Sequence, residues 1–128
     1  MAVDRAAVQR AVLPILAREE LLAFAMLMDS RFLPAPHVQA LMEHLEALER
    51  RDIQKLMVFE PPRVGKSYVV SERFPAWYLG RHPEHSVIVS SHSARLAERA
   101  SRRIRSLLQS SDYPFPEAQI DSHLKAAD

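Results

Sequence analysis

The sequence predicts an α/β fold in which N-terminal helices lead into a strand–helix–strand–helix series. Two short apolar runs carry this prediction: KLMVF at residues 55–59, bounded by polar residues and prolines, and the β-branched SVIVSS at residues 86–91. A helical pattern follows each run, and strands that alternate with helices indicate parallel pairing. Two parallel strands alone would leave edges without partners, so we expect the first part of a larger α/β domain.

The remaining elements are helices, predicted from the spacing of apolar residues and from prolines and glycine at their boundaries. They are one or two helices over residues 4–29 with a possible break at Pro14, a helix from Pro36 to about Arg51, a helix over residues 65–79 with Pro75 as a kink or early stop and Gly80 as its C-terminal cap, and a helix from Ala94 to about Leu108.

Composition limits the class of protein. The 128 residues suffice for one domain, and 48% hydrophobic with 26% charged residues is typical of a soluble globular protein. The longest apolar run, residues 21–28, is far shorter than the ~20 residues of a membrane span, and no secretory leader is predicted. The absence of cysteine excludes disulfides and thiolate metal sites and favours a reducing compartment. With a formal net charge of +1, any basic surface must be local.

The segment FEPPRVGKSYVV, residues 59–70, contains a Gly-Lys-Ser triplet typical of a loop that binds phosphate. Such a loop directs consecutive backbone N–H groups at an anion from the start of a helix, while a lysine reaches the terminal phosphates and a hydroxyl binds Mg²⁺. Glu60 stands where the motif has its first glycine, and a helix start without any ligand is the alternative interpretation. The five consecutive N–H donors would be Arg63, Val64, Gly65, Lys66 and Ser67.

Three further motifs give the chain a family resemblance. The loop has the form P-P-R-x-G-K-S after a short apolar run, residues 74–80 spell F-P-A-W-Y-L-G, and residues 91–97 fit S-x-S-A-x-L-A. Together they resemble the ATPase region of large terminase subunits from tailed bacteriophages and prophages, a family that commonly lacks the first glycine of the loop. The resemblance implies an incomplete P-loop NTPase domain of the RecA/ASCE-like kind, with parallel strands and N-terminal helices.

The resemblance also implies a function: an ATP-driven motor that packages viral DNA into a preformed capsid, with ATP and Mg²⁺ as cofactors. Lys66 would contact the β- and γ-phosphates, Ser67 would hold Mg²⁺ through its hydroxyl, and Gly65 would let the backbone approach. Arg63 would stabilise the γ-phosphate as a second catalytic residue, and Val64 departs from the polar residue that relatives often have. The implied partners are double-stranded viral DNA, a small terminase subunit and the capsid portal, in the cytoplasm of the bacterial host and away from any membrane.

Hydrolysis needs carboxylates that bind Mg²⁺ and activate water, which this family places after a later apolar strand. No acidic residue after Ser67 follows four apolar residues, and Asp121 after Ile120 is the nearest case. The sequence therefore predicts an N-terminal helical segment over residues 1–54 and, over residues 55–128, the first part of the ATPase domain, ending before the acidic motif and without the nuclease domain. We expect nucleotide binding with little or no hydrolysis, and whether the chain is an enzyme stays open.

Two other functions stay open beside this one. One is a truncated P-loop kinase or helicase-like ATPase, against which the F-P-A-W-Y-L-G and S-A-x-L-A stretches argue. The other is a non-enzymatic prophage remnant or DNA-interaction module, because one predicted helix is crowded with arginines that could contact phosphates, although a solvated face is the simpler interpretation. These residues are Arg95, Arg99, Arg102, Arg103 and Arg105.

A few residues invite other chemistry. His82 and His85 form a potential metal pair, but no third ligand is near and a turn explains them better. His37 either approaches an adenine or has a local role at a helix start. The serines among residues 90–93 are explained more simply as caps of the next helix than as nucleophiles. Trp77 is expected to pack against the sheet.

Overall fold

The structure is a computed structural model that describes residues 2–61 and 65–120. The described part of the chain folds as helices joined by turns and extended segments. None of these helices has the length and hydropathy that crossing a bilayer requires. The elements are α1 (Arg5–Leu16), α2 (Leu21–Met28), α3 (Pro36–Glu49), a π-helical turn (Tyr68–Arg73), α4 (Phe74–Arg81), α5 (Ala94–Gln109) and a 3₁₀ turn (Pro116–Ala118).

The predicted α/β fold is wrong, because residues 2–61 and 65–120 contain no strand and therefore no parallel sheet. Residues 55–59 and 86–91 have no regular secondary structure, and no backbone hydrogen bond joins the two segments. The side chains of the first segment still alternate as in a strand: Leu56 and Val58 pack against the core, whereas Met57 and Phe59 are 77% and 84% exposed. A strand exists only through hydrogen bonds to a neighbour, so the local pattern alone does not produce one.

Acidic side chains accept hydrogen bonds from backbone N–H groups at the N-termini of α1 and α2. Asp4 caps α1 by accepting a hydrogen bond from the backbone N–H of Ala6 at 3.0 Å. Pro14 lies inside α1 without ending it, and the break between the two helices comes at residues 17–20 instead. The backbone N–H of Leu21, at the start of α2, donates to the carboxylate of Glu46 on α3 at 3.0 Å. One side chain of α3 therefore completes the N-terminus of α2 and joins the two helices.

The core is built around α2 and one tryptophan. Phe24 of α2 and Trp77 of α4 are 0% and 1% exposed, and the indole N–H of Trp77 donates to the carbonyl of Ala17 at 3.1 Å. Tyr113, from the loop after α5, meets Phe24 edge-on and donates its hydroxyl to the carbonyl of Ala76 at 2.7 Å. Buried aromatic side chains whose polar atoms are satisfied contribute strongly to stability, about 1.5–3 kcal/mol each for the apolar part.

The predicted helix over residues 65–79 exists, with an irregular turn directly before Pro75 and with a different role for Gly80. Phe74 donates its N–H to the carbonyl of Val69, five residues back, which makes the preceding turn π-helical. Pro75, which has no N–H to donate, lies directly after this turn, where the π-helical pattern gives way to that of α4. The predicted C-terminal cap at Gly80 is wrong: Gly80 is a buried residue within α4, and the ring of Phe115 packs directly on its backbone.

Gly80→Ala tests whether this close approach outweighs helix propensity. A Cβ atom at residue 80 would lie 2.2 Å from Cδ2 of Phe115, and that ring is buried. Propensity alone predicts that alanine stabilises the helix by about 1 kcal/mol, whereas overpacking of a core costs about 1–3 kcal/mol. We expect net destabilisation, measured as a lower urea midpoint. The double variant with Phe115→Leu should recover part of the loss, and an unchanged or raised midpoint in Gly80→Ala would contradict the packing argument.

Candidate functional site

The Gly-Lys-Ser triplet lies where the chain enters the helical segment formed by the π-helical turn and α4. Gly65 has φ +89°, a left-handed conformation that strains any residue with a side chain. Its carbonyl accepts a hydrogen bond from the N–H of Val69 at 3.1 Å, so Gly65 is the residue at which the incoming chain joins the first helical turn. Lys66 is half-buried and Ser67 is exposed. Arg63 and Val64 lie outside the described residues.

The helix start is suited to an anion. The first N–H groups of a helix have no acceptor within it, and together they form the positive end of the helix dipole. Ser67 makes no side-chain capping hydrogen bond in this structure. Lys66 and Ser67 supply two N–H groups of this first turn, and Lys66 adds an ammonium group to the same stretch of chain.

Ser67 also opens onto a cavity of about 350 Å³ between the π-helical turn, the extended segment before α5, and α5 itself. Its polar lining is mostly hydroxyl groups and one guanidinium, and its one carboxylate, Glu72, is paired with Arg73 at 3.2 Å. Such a lining accommodates phosphate oxygens or a hydrated cation. The polar residues are Ser67, Ser71, Glu72, Ser90, Ser91 and Arg99.

Serine capping of α5, the simpler explanation of residues 90–93, is not observed. Ser93 is the N-cap residue, and its side chain makes no capping hydrogen bond. Ser90 and Ser91 instead face the cavity that contains Ser67. The structure therefore brings together two serine-bearing segments that are more than twenty residues apart in sequence.

A polar network fixes the first turn after the triplet. The Tyr68 hydroxyl donates to Oδ2 of Asp29 at 3.0 Å and accepts from Nη2 of Arg73 at 2.7 Å, and Phe32 stacks on the Tyr68 ring at 5.4 Å between centroids. Burial raises the pKa of Tyr68 to about 12. The backbone N–H of Arg31, followed by the Tyr68 hydroxyl, lowers the pKa of Asp29. Sequence reasoning missed this network, because no local pattern relates residues 29 and 68.

Glu60 is the feature that least favours an anion. This residue precedes the loop, and one of its carboxylate oxygens is buried without a hydrogen-bond partner among the described residues. A negative charge at this point opposes a bound phosphate. The cations of Lys66 and Arg99 act in the opposite direction.

The two histidines of HPEH belong to a cap on the end of α4. Glu49 is 8% exposed and accepts hydrogen bonds from Nε of Arg81 and Nε2 of His82, both at 2.9 Å. His82 stacks on His85 at 4.8 Å with only 7° between the rings, while Nδ1 of His85 lies 2.9 Å from the Tyr78 hydroxyl. Ligand atoms of the two histidines and Glu84 come within 4.8 Å of one another, so the expectation that no third ligand is near was wrong. An imidazole binds a metal in its own plane, however, and two parallel planes share no such point, so this arrangement is a structural cap.

The structure also describes the positions of His37, Trp77 and the arginines of α5, which the sequence suggested as candidates for other roles. His37 lines a cleft of about 310 Å³ with the chain segment that enters the loop, so a contact with a nucleotide base stays a prediction. Trp77 packs in the helical core instead of against a sheet. All five arginines of α5 are exposed.

Tyr68→Phe should destabilise the protein by about 2 kcal/mol, because it removes a donor to Asp29 and leaves a buried guanidinium short of an acceptor. The Nε atom of Arg73 already has no partner among the described residues. Urea unfolding of Tyr68→Phe, Asp29→Asn and the double variant measures the loss and the coupling between the two residues. Strictly additive losses would contradict a direct bond between them.

The Glu49 ion pairs predict a dependence of stability on pH. Burial raises the pKa of Glu49, but the hydrogen bonds from Arg81 and His82 outweigh burial and the net pKa is lowered. The stabilisation is therefore complete above the ordinary glutamate pKa of 4.5 and is lost as the pH falls through the lowered value. We expect the urea midpoint to fall more between pH 6 and pH 3 in the natural protein than in Glu49→Gln. Parallel curves for the two proteins would show that Glu49 contributes nothing to the acid sensitivity.

Comparison with known protein families gives a match to the second half of the chain. Residues 57–124, just over half of the chain, match the family model described as terminase large subunit, T4likevirus-type, N-terminal. The match begins in the extended segment before the triplet and covers the helical segment, the serine-bearing segment and α5. It confirms the resemblance that the loop and the two downstream motifs predicted. No curated protein and no solved structure matches the chain.

Proposed function

Because the chain belongs to the N-terminal family of T4-like terminase large subunits, we propose that it forms the phosphate-binding part of the ATP site that drives packaging of viral DNA. The observation that carries the ATP part is the geometry of the triplet: a left-handed Gly65, followed by Lys66 and Ser67 at a helix start. The alternative of a kinase or helicase-like ATPase has no comparable support, since the matched family is that of a packaging protein.

The residues present fit a nucleotide with its metal. The N–H groups of the first turn would donate hydrogen bonds to phosphate oxygens, Lys66 would balance the charge of the phosphates, and Ser67 would hold Mg²⁺ through its hydroxyl. Bound Mg²⁺ would neutralise negative charge on the phosphates. Arg63 would act beside the γ-phosphate, and Val64 would contribute its N–H; both roles rest on the family resemblance alone.

We expect this chain to bind ATP and to hydrolyse little of it alone. The described part of the cavity offers one carboxylate, Glu72, and its ion pair with Arg73 leaves it poorly placed to activate water. Transition-state stabilisation in phosphoryl transfer also depends on Mg²⁺ held by an acidic residue. A small terminase subunit and the capsid portal, in the cytoplasm of the bacterial host, are the partners proposed for the working motor.

Titration of the chain with Mg-ATP, followed by calorimetry, tests the proposal. We expect saturable binding that weakens at least tenfold in Lys66→Ala, because the phosphates lose their nearest ammonium group. Lys55→Ala is the matched control: it removes the same charge from an exposed lysine in the preceding segment and should bind as the natural protein does.

Three results would decide against the assignment or refine it. Equal ATP affinity of the natural protein and Lys66→Ala would show that the triplet does not bind the nucleotide. An equal loss of affinity in both lysine variants would show that only the net charge of the protein matters. Undetectable binding by the natural protein would leave family membership intact without an ATP site in this chain. Phosphate release above the blank would show that a carboxylate does reach the γ-phosphate.

A further inference from the structure

Glu72 is a carboxylate that lines the same cavity as Ser67, and the proposed binding of ATP gives it no role. Its side chain is 19% exposed. Among the described residues that line this cavity of about 350 Å³, Glu72 carries the one carboxylate, whereas hydroxyl groups and Arg99 supply the other polar atoms. A negative charge opposes the phosphates of a nucleotide unless a cation lies between them. The position of Glu72 therefore indicates a bound cation.

The π-helical turn brings Glu72 to the side of the helix on which Ser67 lies. In a regular α-helix, residues five apart are separated by about 140° around the axis, so they project from different faces. In a π-helical turn the hydrogen bond spans five residues, so a residue five positions on lies roughly one turn above the first. Ser67 and Glu72 have this spacing, and both line the cavity. Irregular turns of this kind are frequent at functional sites.

Arg73 holds the carboxylate of Glu72 in a fixed orientation. Its Nη1 atom donates to Oε2 of Glu72 at 3.2 Å, and its Nη2 atom donates to the Tyr68 hydroxyl at 2.7 Å. The guanidinium carbon also lies 3.8 Å from the centroid of the Tyr68 ring. Oε1 of Glu72 accepts no hydrogen bond within residues 2–61 and 65–120, so it is available to a donor in the cavity. Carboxylates that are oriented by a hydrogen-bonding neighbour are typical of metal sites.

We propose that Glu72 is a positioning residue for Mg²⁺ at the ATP site, where it accepts hydrogen bonds from water molecules bound to the ion that Ser67 holds. This inference rests on the proposed function. Mg²⁺ keeps several of its water molecules when it binds to a protein and a nucleotide. Contact through water suits Glu72, because Arg73 already offsets part of its charge. The cavity of about 350 Å³ also has room for several water molecules at about 30 Å³ each.

The alternative role of Glu72 is that of an ion-pair partner for Arg73 alone. Glu72→Gln separates the two roles, because the amide oxygen still accepts a hydrogen bond from Arg73. The variant lacks the negative charge that strengthens hydrogen bonds from metal-bound water. Glu98→Gln is the matched control: it removes the same charge from an exposed residue of α5 that does not line the cavity.

Calorimetric titrations with ATP, in excess Mg²⁺ and again in EDTA, give the factor by which Mg²⁺ tightens ATP binding. This factor should fall about tenfold in Glu72→Gln, because loss of a group that orients a metal site weakens metal binding by about 10–100-fold. In EDTA the ATP affinity of Glu72→Gln should be unchanged or higher, since a negative charge near the phosphates is gone. Glu98→Gln should keep the factor within about twofold of that of the natural protein.

The factor compares two affinities of the same variant, so unfolded protein lowers the stoichiometry of the titration and leaves the factor unchanged. Where binding in EDTA falls below detection, the affinities for Mg-ATP decide. Glu72→Gln should then bind Mg-ATP at least about fivefold more weakly than Glu98→Gln does.

Four results would overturn the proposal. An unchanged factor in Glu72→Gln, or equal affinity of the natural protein for ATP with and without Mg²⁺, would remove Glu72 from the metal site and leave the ATP site intact. Equal falls in both glutamine variants would show that only net charge matters. Undetectable binding of ATP by the natural protein would overturn this proposal together with the proposed function, so the two failures are distinguishable.

Discussion

The burial of α2 is the constraint on which the rest of the structure depends. This helix has eight residues, too few to be stable in water by itself, and it exists because its neighbours enclose it. Leu21 and Phe24 have no exposed surface, and α2 packs against α1, α3, the π-helical turn and α4. The helical segment that begins at Gly65 is therefore positioned by an apolar helix more than thirty residues earlier in the chain. A ligand site at the N-terminus of this helical segment is therefore held in place by the packing of α2.

The helices were predictable because their information is local. Apolar residues at helical spacing, the cap at Asp4 and the proline at the start of α3 lie within the elements that they specify. The strand prediction failed for the opposite reason, since residues 55–59 and 86–91 have strand composition but a strand also requires a partner at the correct distance. Gly80 illustrates a third case. Its position near a helix end suggested a cap, whereas its actual role depends on a ring 35 residues away.

Some features of the candidate site could likewise be predicted from local sequence, and others could not. The Gly-Lys-Ser triplet is contiguous, so its place at a helix start could be inferred from neighbouring residues alone. The cavity beside Ser67 and the hydrogen bond between Tyr68 and Asp29 each involve segments that are distant in sequence. Contacts of this kind cannot be predicted from the pattern of residues within one segment. Ser90 and Ser91 were noticed in the sequence, but their position beside Ser67 became evident only in three dimensions.

The π-helical turn has a consequence for the direction in which Lys66 points. In an uninterrupted α-helix, two residues eleven apart are separated by about three full turns and share a face. Lys66 would then project from the same side as Trp77, which is buried in the core. The wider turn at residues 68–73 changes the helical phase by roughly a quarter of a turn, because each hydrogen bond there spans five residues instead of four. Lys66 is therefore out of phase with Trp77, and it is half-buried where Trp77 is enclosed by the core.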